Sequence, residues 1–529
     1  MKNSRYSGAA SASAAEGWSL SRAVAPSRLF GANGIRAGAD GRVYVAQVAG
    51  SAVTALDIDS GEAEVISAID GPITGPDDLA FDSQHNLYAT EITLGRVSML
   101  TSSGDYRVID DDMPVANPIT VYQDRLIAGE CRMGGRIFEL SRDGGARRLI
   151  LDDAPMPNAF EIGPDGKLYF PLMGANAIWR IDPAGGEPEV VVADLGVPDS
   201  VKFDSKGRIV STQVASGQVL RIDPQSGARE VLAQLSPGLD NCTFAGERLF
   251  VSSIPGEVVE ILPDGGVRSL VGRGLQWPMG LACASDGTLF VADGGFTYSL
   301  APGGELDLLG MLFSPGFPGF ARGVASSGPG EWLTTNSMGA VMRWWPERGE
   351  SEVVSEGHEL LYGVASGPDG AAVFADGAAG KVISARYGEV EALAEGLDQP
   401  MGVATGSDGS VYASESGAGR VVRIASGRAE TVLDDLVEPQ GIAIAGGTLF
   451  VVDVGTKELI SCELAGGKLQ ILATGLPVKA PPGVTPKLLG GVGDMSGPMV
   501  PMCGVAIGGD GAVYVAGDAE GSVLAIRPL

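Results

Sequence analysis

The chain has 529 residues, which is enough for two or more folded cores. Its 37 Lys and Arg residues against 65 Asp and Glu residues leave a net charge of −28, which argues against a nucleic-acid or anionic-membrane partner, since both require a basic face. The apolar share of 44% supports a folded core, and the 79 glycines, about twice the usual share, indicate a turn-rich β protein.

The N-terminal segment 1–17 is rich in small and polar residues and is predicted to be a disordered tail. It lacks the apolar core of a secretory signal, and no apolar run of about 18 residues follows, so we expect no membrane segment. Five widely spaced cysteines without a CxxC pair predict free thiols and a cytoplasmic location. We expect a small-molecule substrate, and the sequence does not indicate an oligomeric state.

A unit of about forty residues repeats along the chain. It combines a short apolar strand, often an Asp-Gly turn, and a second strand of the LYVA type, as in IRAGADGRVYVA from Ile35 and VAIGGDGAVYVA from Val505. The twelve units are anchored at positions 33, 77, 117, 158, 199, 240, 279, 322, 362, 401, 440 and 503. Because four short strands fill such a unit, the sequence predicts an all-β protein with two six-bladed β-propellers in tandem, made of four-stranded blades.

The predicted domains follow from this repeat. The first propeller is expected at 29–277 and the second at 278–529, with a Pro/Gly-rich insertion at 478–500 before the last unit. The final unit ends after its third strand, so segment 18–28 is a candidate for the missing outer strand. The sequence does not tell which propeller that segment joins.

The anchor positions are predicted to form a ring at the mouth of each channel. In the first propeller all six are Asn or Asp: Asn33, Asp77, Asn117, Asn158, Asp199 and Asp240. In the second they are Met279, Arg322, Tyr362, Met401, Gln440 and Cys503, and each is followed by a Gly, which we expect to serve a tight turn.

Carboxylate and amide oxygens are the ligands that hard divalent cations prefer. The ring of the first propeller therefore predicts a metal site, with Ca²⁺ favoured, Mg²⁺ or Mn²⁺ as alternatives and Zn²⁺ less suited because the ring has no His. The competing interpretation is that these Asn and Asp side chains only cap local turns.

On these residues the first half, 28–277, resembles the senescence-marker-protein/gluconolactonase family of six-bladed propellers, which includes luciferin-regenerating enzyme. That family has Asn, Asn and Asp at this position in blades three, four and five, where this chain has ANPI at Asn117, PNAF at Asn158 and PDSV at Asp199. The resemblance implies that Asn158 and Asp199 ligate the metal and that Asn117 holds the metal or the substrate through water. It also implies that Asp199 moves a proton.

The chain departs from the family at Asn33, where the family has Glu. Asp77 or Asp240 would supply the missing charge from another direction. The second half resembles an NHL-type propeller and inherits no enzyme site from this resemblance.

The last residue of each second strand is predicted to face the same mouth. Glu91 and Glu130 are candidates for a general base or for holding the ligand amides, with solvated loop carboxylates as the alternative. Arg132 is a candidate clamp for a substrate oxyanion, or else a surface ion pair. Further candidate substrate contacts are Gln47, Met173 and Gln213. In the second propeller the equivalent Asp residues, as in the VAD sequences, are expected to brace a turn.

These features favour a divalent-metal-dependent hydrolase of a small organic lactone or ester. The same metal site would also serve a lyase or isomerase. The NHL-like half leaves open a non-enzymatic protein-interaction scaffold, and a cation that only stabilises the channel is a further alternative.

Overall fold

The computed structural model describes Arg5 and residues 12–367, 369–480, 485, 487 and 502–529. These residues form β-strands joined by turns, with two short 3-10 helices, Met173–Ala175 and Pro346–Arg348. In this part of the chain no helix is long and apolar enough to cross a membrane. The predicted insertion at 478–500 lies mostly outside the described residues.

The chain divides into two compact units, one formed by residues 28–274 and the other by 12–27, 275–480 and 502–529. The unit 28–274 contains six four-stranded antiparallel sheets, numbered here as blades one to six. Their strands are, in order, Ile35–Ala37, Val43–Gln47, Ala52–Leu56, Ala63–Ser67; Pro76–Phe81, Leu87–Glu91, Arg96–Leu100, Tyr106–Asp110; Ala116–Tyr122, Arg125–Glu130, Gly135–Leu140, Arg148–Ala154; Glu161–Ile162, Leu168–Leu172, Ala177–Ile181, Glu189–Val192; Lys202–Phe203, Ile209–Thr212, Gln218–Ile222, Arg229–Gln234; and Leu239–Ala245, Arg248–Ser253, Glu257–Ile261, Val267–Val271.

The second unit contains blades seven to twelve. Their strands are, in the same order, Leu281–Cys283, Leu289–Asp293, Phe296–Leu300, Leu306–Met311; Ala321–Gly328, Glu331–Asn336, Val341–Trp345, Glu350–Ser355; Leu361–Ser366, Ala372–Asp376, Lys381–Arg386, Glu389–Glu395; Pro400–Thr405, Val411–Glu415, Arg420–Ala425, Arg428–Leu433; Pro439–Ala445, Thr448–Asp453, Glu458–Glu463, Leu469–Thr474; and Val505–Ile507, Val513–Gly517, Ser522–Pro528, Trp18–Val24.

Each unit closes into a ring of six blades. In the first, the innermost strand of blade six contacts that of blade one, and Ser252 Oγ donates a hydrogen bond to the Asn33 carbonyl at 2.6 Å. In the second, the innermost strands of blades twelve and seven are in contact, and Gly504 N donates to the Met279 carbonyl at 2.9 Å. The predicted pair of six-bladed propellers is therefore confirmed.

The N-terminal segment supplies edge strands. Trp18–Val24 pairs antiparallel with Ser522–Pro528 and is the outer strand of blade twelve, so it belongs to the second propeller. Ser13–Ala14 pairs with the outer strand of blade eleven, at Thr474 and Ala473. The prediction of a disordered tail over 1–17 is therefore wrong for these two residues, because the edge of that blade offers them backbone hydrogen bonds.

The apolar cores lie between adjacent blades, as in any propeller whose sheets pack face to face. Ile127 and Ile137 of blade three, for example, pack with Phe160 and Phe170 of blade four. Burying one such side chain contributes about 1.5–3 kcal/mol. This repeated packing fixes the innermost strands and, with them, the residues around the channel.

Candidate functional site

The six anchor side chains of the first propeller lie buried at the mouth of its channel, each between 4% and 9% exposed. Hydroxyl groups on the second strands hold their backbone in place. Thr90 Oγ1 donates to the Asn117 carbonyl at 2.6 Å, and Thr212 Oγ1 donates in the same way to the Asp240 carbonyl of the next blade. The blade-to-blade hydroxyl bond, which the sequence analysis missed, makes the anchor ring a rigid feature of the fold.

Amide and carboxyl groups of the ring pair with each other. Asn158 Nδ2 donates to Asp199 Oδ2 at 2.8 Å, and Asn33 Nδ2 donates to Asp240 Oδ2 at 3.1 Å. The Oδ1 atoms of Asn158 and Asn33 accept bonds from Ala159 N and Val48 N, which is local capping of the kind that the alternative interpretation predicts. Capping does not account for Asp199 Oδ1 and Asn117 Oδ1, which are buried without a hydrogen-bond partner among the described residues.

The carboxyl groups of the ring are held in an environment that opposes ionisation. Burial, together with the charge of Asp78, raises the pKa of Asp77 to about 7. Burial also raises the pKa of Asp199 and of Asp240 well above the ordinary value, and the other ring carboxylates add to both shifts. Buried carboxylates are costly unless a cation or a proton compensates them.

A second polar cluster lies deeper in the same channel, on the innermost strands. Arg36 Nη1 lies 3.1 Å from Glu161 Oε2, and Lys202 Nζ lies 3.4 Å from the same oxygen. Arg36 Nη2 is also 4.0 Å from Asp78 Oδ2. Two cations and two anions thus lie together in this cluster. None of the three ring carboxyl groups forms an ion pair with a described Lys or Arg, although the charge of Lys202 partly offsets the rise in the pKa of Asp199.

The composition of the ring fits a hard cation. Within the described ranges no three His, Cys, Asp or Glu side chains lie close enough together to hold a metal ion, so a cation here needs amide oxygens as well. Asn158, Asp199 and Asn117 are the residues that would hold it, and the unpartnered Asp199 Oδ1 and Asn117 Oδ1 are suitable donors. Asn158 would have to give up its hydrogen bond to Asp199 in order to present its own oxygen.

Glu91 and Glu130, the predicted bases, are bound within their own blades and fully buried. Glu91 Oε2 accepts a bond from Thr74 N at 2.8 Å and lies 2.6 Å from Arg96 Nη2. Although burial opposes it, hydrogen bonds from Arg136 and Arg132 lower the pKa of Glu130. Arg132, the predicted oxyanion clamp, is therefore engaged with Glu130, its Nη2 2.9 Å from Oε2.

Gln47 and Gln213 occupy the same position in blades one and five and brace the entry loops. Gln47 Oε1 accepts from Phe30 N at 2.9 Å, and Gln213 Oε1 accepts from Gly196 N at 2.9 Å. Asp293 does the same in the second propeller, where it accepts from Trp277 N at 2.6 Å, as predicted for that half. The residue at the end of the second strand, called the brace position here, thus holds the entry loop of its blade in blades one, two, five and seven. Catalytic or substrate-binding roles for Gln47, Glu91, Glu130 and Gln213 stay predictions that these bonds do not favour.

Met173 and Cys131, each one residue beyond the brace position, lie at the ring instead. Met173 Sδ is 3.1 Å from Asn158 Nδ2, which places this predicted substrate contact beside a candidate ligand. Burial and the nearby Asp77, Asp199 and Asp240 carboxylates raise the pKa of Cys131 well above its ordinary value, so its thiol is a poor nucleophile.

The backbones of neighbouring blades approach closely around the channel of the second propeller. A Cβ added at Gly402 would lie 2.3 Å from the Gln440 carbonyl oxygen, and one at Gly504 would lie 2.3 Å from that of Met279. These glycines do not have positive φ, so the expected turn role is wrong. Glycine is needed at these positions because neighbouring blades approach closely and leave no room for a Cβ. The cavity that they line has a volume of about 40 Å³.

A Ser–His–Asp grouping occurs at the joint between blades eight and nine. Ser355 Oγ lies 2.8 Å from His358 Nε2, and His358 Nδ1 lies 3.7 Å from Asp376 Oδ2. The His358 ring also packs edge-on against Phe374, with 4.8 Å between centroids. Ser355 and Asp376 are 7% and 3% exposed, so this grouping fastens two blades together.

Comparison with known proteins supports the resemblance seen in the first half. The model of the SMP-30/gluconolactonase/LRE-like region matches residues 18–255, which confirms that resemblance. The matched range includes the strand Trp18–Val24, although this strand completes blade twelve. The NHL-type resemblance of the second half stays a prediction. No curated protein matches the chain significantly.

Several solved structures are similar over about half of the chain. A gluconolactonase from Xanthomonas campestris has 16% identity and a TM-score of 0.40, covering 46% of this chain and 90% of its own. Virginiamycin B lyase from Staphylococcus aureus has 17% identity and a TM-score of 0.38, covering 52% and 96%. The calcium-binding protein regucalcin from Agrobacterium tumefaciens has 21% identity and a TM-score of 0.36, covering 43% and 82%. Likeness at this level does not bear on function.

Proposed function

We propose that the first propeller is a divalent-metal-dependent hydrolase of a small organic lactone or ester, with its site at the mouth of the channel. The observation that carries this proposal is the group of three buried ring carboxyl groups, none of which forms an ion pair with a Lys or Arg among the described residues. The family match over residues 18–255 supports the same assignment. Ca²⁺ is the preferred cation because all the ring donors are hard oxygens.

The ring residues have different roles in cation binding, substrate binding and proton transfer. Asn158 and Asp199 hold the cation and Asn117 orients the substrate or a water molecule. The cation, when bound, polarises the carbonyl group of the substrate and makes water easier to deprotonate. Asp199 Oδ1 would hold the cation, while Oδ2, released when Asn158 gives up its hydrogen bond, would take the proton of the attacking water and return it to the alkoxide that leaves as the acyl C–O bond breaks. Burial of the ring strengthens each of these interactions.

The second propeller has a structural role in this proposal. Its anchor ring has no carboxylate, and the glycines beside the anchors lie where neighbouring blades approach too closely for a Cβ. Its anchors therefore provide matched controls for variants of the first ring.

The experiment is a hydrolysis screen over simple lactones and aryl esters, run with the chelated full-length protein and after addition of Ca²⁺, Mg²⁺ or Mn²⁺. We expect activity only with a cation, and a loss of about 100-fold or more in Asp199→Asn. Gln440→Ala, at the equivalent position of blade eleven, should keep full activity. Turnover that persists in chelator, or that survives Asp199→Asn, would contradict the proposal.

A further inference from the structure

Six apolar side chains surround the polar ring of the first propeller, one from each blade. They follow the brace position directly and are called the collar here: Val48, Ile92, Cys131, Met173, Val214 and Ile254. Four of them, Ile92, Cys131, Met173 and Val214, are between 0% and 7% exposed. The collar contains no hydroxyl, amide or charged group.

The backbone holds the collar residues in one repeated arrangement. In five blades the collar N–H donates to the carbonyl of the residue that lies two positions before the anchor, for example Cys131 N to Val115 O at 2.9 Å and Val214 N to Val197 O at 2.9 Å. In blade one the anchor side chain replaces that carbonyl, and Val48 N donates to Asn33 Oδ1 at 3.1 Å. The collar is thus tied to the ring in every blade.

Two of the collar side chains, in blades three and four, lie at the ring itself. Met173 Sδ lies 3.1 Å from Asn158 Nδ2 of the ring. The influence of three ring carboxylates on the Cys131 thiol places that side chain at the ring as well.

An apolar path continues outward from the collar at blades three and four. Met133 is 61% exposed, and its sulfur would lie 2.6 Å from a Cβ added at Gly174, the residue after Met173. The two methionines therefore lie in sequence from solvent to the ring. Met is a flexible side chain that adapts to varied apolar ligands.

We propose that the collar selects lactones or esters with an alkyl chain and discriminates against polyhydroxylated sugar lactones, an inference that rests on the proposed function. The polar ring receives the carbonyl group, while the collar receives the carbon chain. A sugar lactone would lose water from its hydroxyl groups at the collar without finding donors or acceptors there. An alkyl chain would gain from the transfer of each methylene out of water.

The experiment measures kcat/KM of the full-length, cation-loaded protein for γ-lactones with alkyl chains of zero to six carbons and for glucono-δ-lactone. We expect kcat/KM to rise about threefold for each added methylene until the collar is filled. Binding of the matching alkyl lactams, which resist hydrolysis, should tighten in the same order by calorimetry. Cys131→Ser, which puts a hydroxyl into the collar at nearly constant volume, should flatten both dependences.

Cys242→Ser is the matched control, because Cys242 is equally buried but packs in the core between blades five and six. It should lower stability and keep the chain-length dependence. Activity that is independent of chain length, or a preference for the sugar lactone, would overturn the collar proposal while leaving the hydrolase intact. No turnover of any lactone or ester, with chain-dependent lactam binding retained, would overturn the hydrolase and keep the collar.

Discussion

At the scale of single residues, the ring of the first propeller differs from the deeper cluster in how charge is compensated. Arg36 and Lys202 neutralise Asp78 and Glu161 within the cluster. Asp77, Asp199 and Asp240 form no ion pair with a described Lys or Arg, and the amides that bond to Asp199 and Asp240 carry no net charge. Burial therefore favours the protonated form of these carboxyl groups when no cation is bound, and this property is measurable.

The pH dependence of stability tests that property through Asp77. Its ordinary pKa is 3.8 and its pKa in the fold is about 7, so between about pH 4 and 7 the folded state binds more protons than the unfolded state. This group's contribution to stability is lost as the pH rises through that window. In chelator, Asp77→Asn should therefore gain stability relative to the unsubstituted protein as the pH rises from 4 to 7. A difference that is constant with pH, measured by urea denaturation, would contradict the assigned pKa.

The brace role of Glu91 predicts a loss of stability without a loss of chemistry. Glu91→Ala removes the acceptor of Thr74 N and the partner of Arg96, so unfolding should become easier by about 2–3 kcal/mol. Denaturant unfolding measures the change, and kcat of the cation-loaded variant at low temperature should stay within about twofold of the original. A large fall in kcat at unchanged stability would instead make Glu91 a base, as the sequence first suggested.

At the scale of the blade, one position along a strand separates structural from site residues. The sequence pattern correctly predicted that the end of each second strand lies near the ring. It did not indicate that the residue after the strand, such as Met173, contacts the ring, whereas Gln47 and Glu91 at the strand end bind loop backbone. The brace residues are polar, so a sequence pattern suggests functional roles for them. The collar residue Val214 is apolar, and the sequence alone does not distinguish it from a core residue.

The glycine column of the second propeller provides a test at this scale. Gly402→Ala places a Cβ 2.3 Å from the Gln440 carbonyl oxygen, so neighbouring blades must separate, and we expect a loss of about 1–3 kcal/mol. The control is Gly509→Ala, where a Cβ would have open space and φ is not positive. Equal thermal stability of the two variants would show that close approach of the blades is not what these glycines serve.

At the scale of the whole molecule, the repeat made the fold predictable. Twelve units of nearly constant length specify twelve blades, and the missing outer strand of the last unit pointed to the N-terminal segment that supplies it. The Arg36 and Lys202 cluster was not foreseen, because only ring closure brings residues 125 positions apart, such as Arg36 and Glu161, together. The Ser13–Ala14 strand was missed because an edge strand needs only backbone hydrogen bonds and leaves little trace in composition.

The central claim is that the ring of the first propeller binds one divalent cation, and metal analysis of the purified full-length protein tests it most directly. Elemental mass spectrometry should find about one Ca²⁺ or similar ion per chain after equilibration with that ion and removal of excess. Asn158→Ala/Asp199→Ala should lose it, while the matched pair Met401→Ala/Gln440→Ala in the second propeller should retain it. A metal-free original protein that gains no thermal stability from Ca²⁺, Mg²⁺ or Mn²⁺, or a double Asn158/Asp199 variant that still holds the ion, would contradict the account.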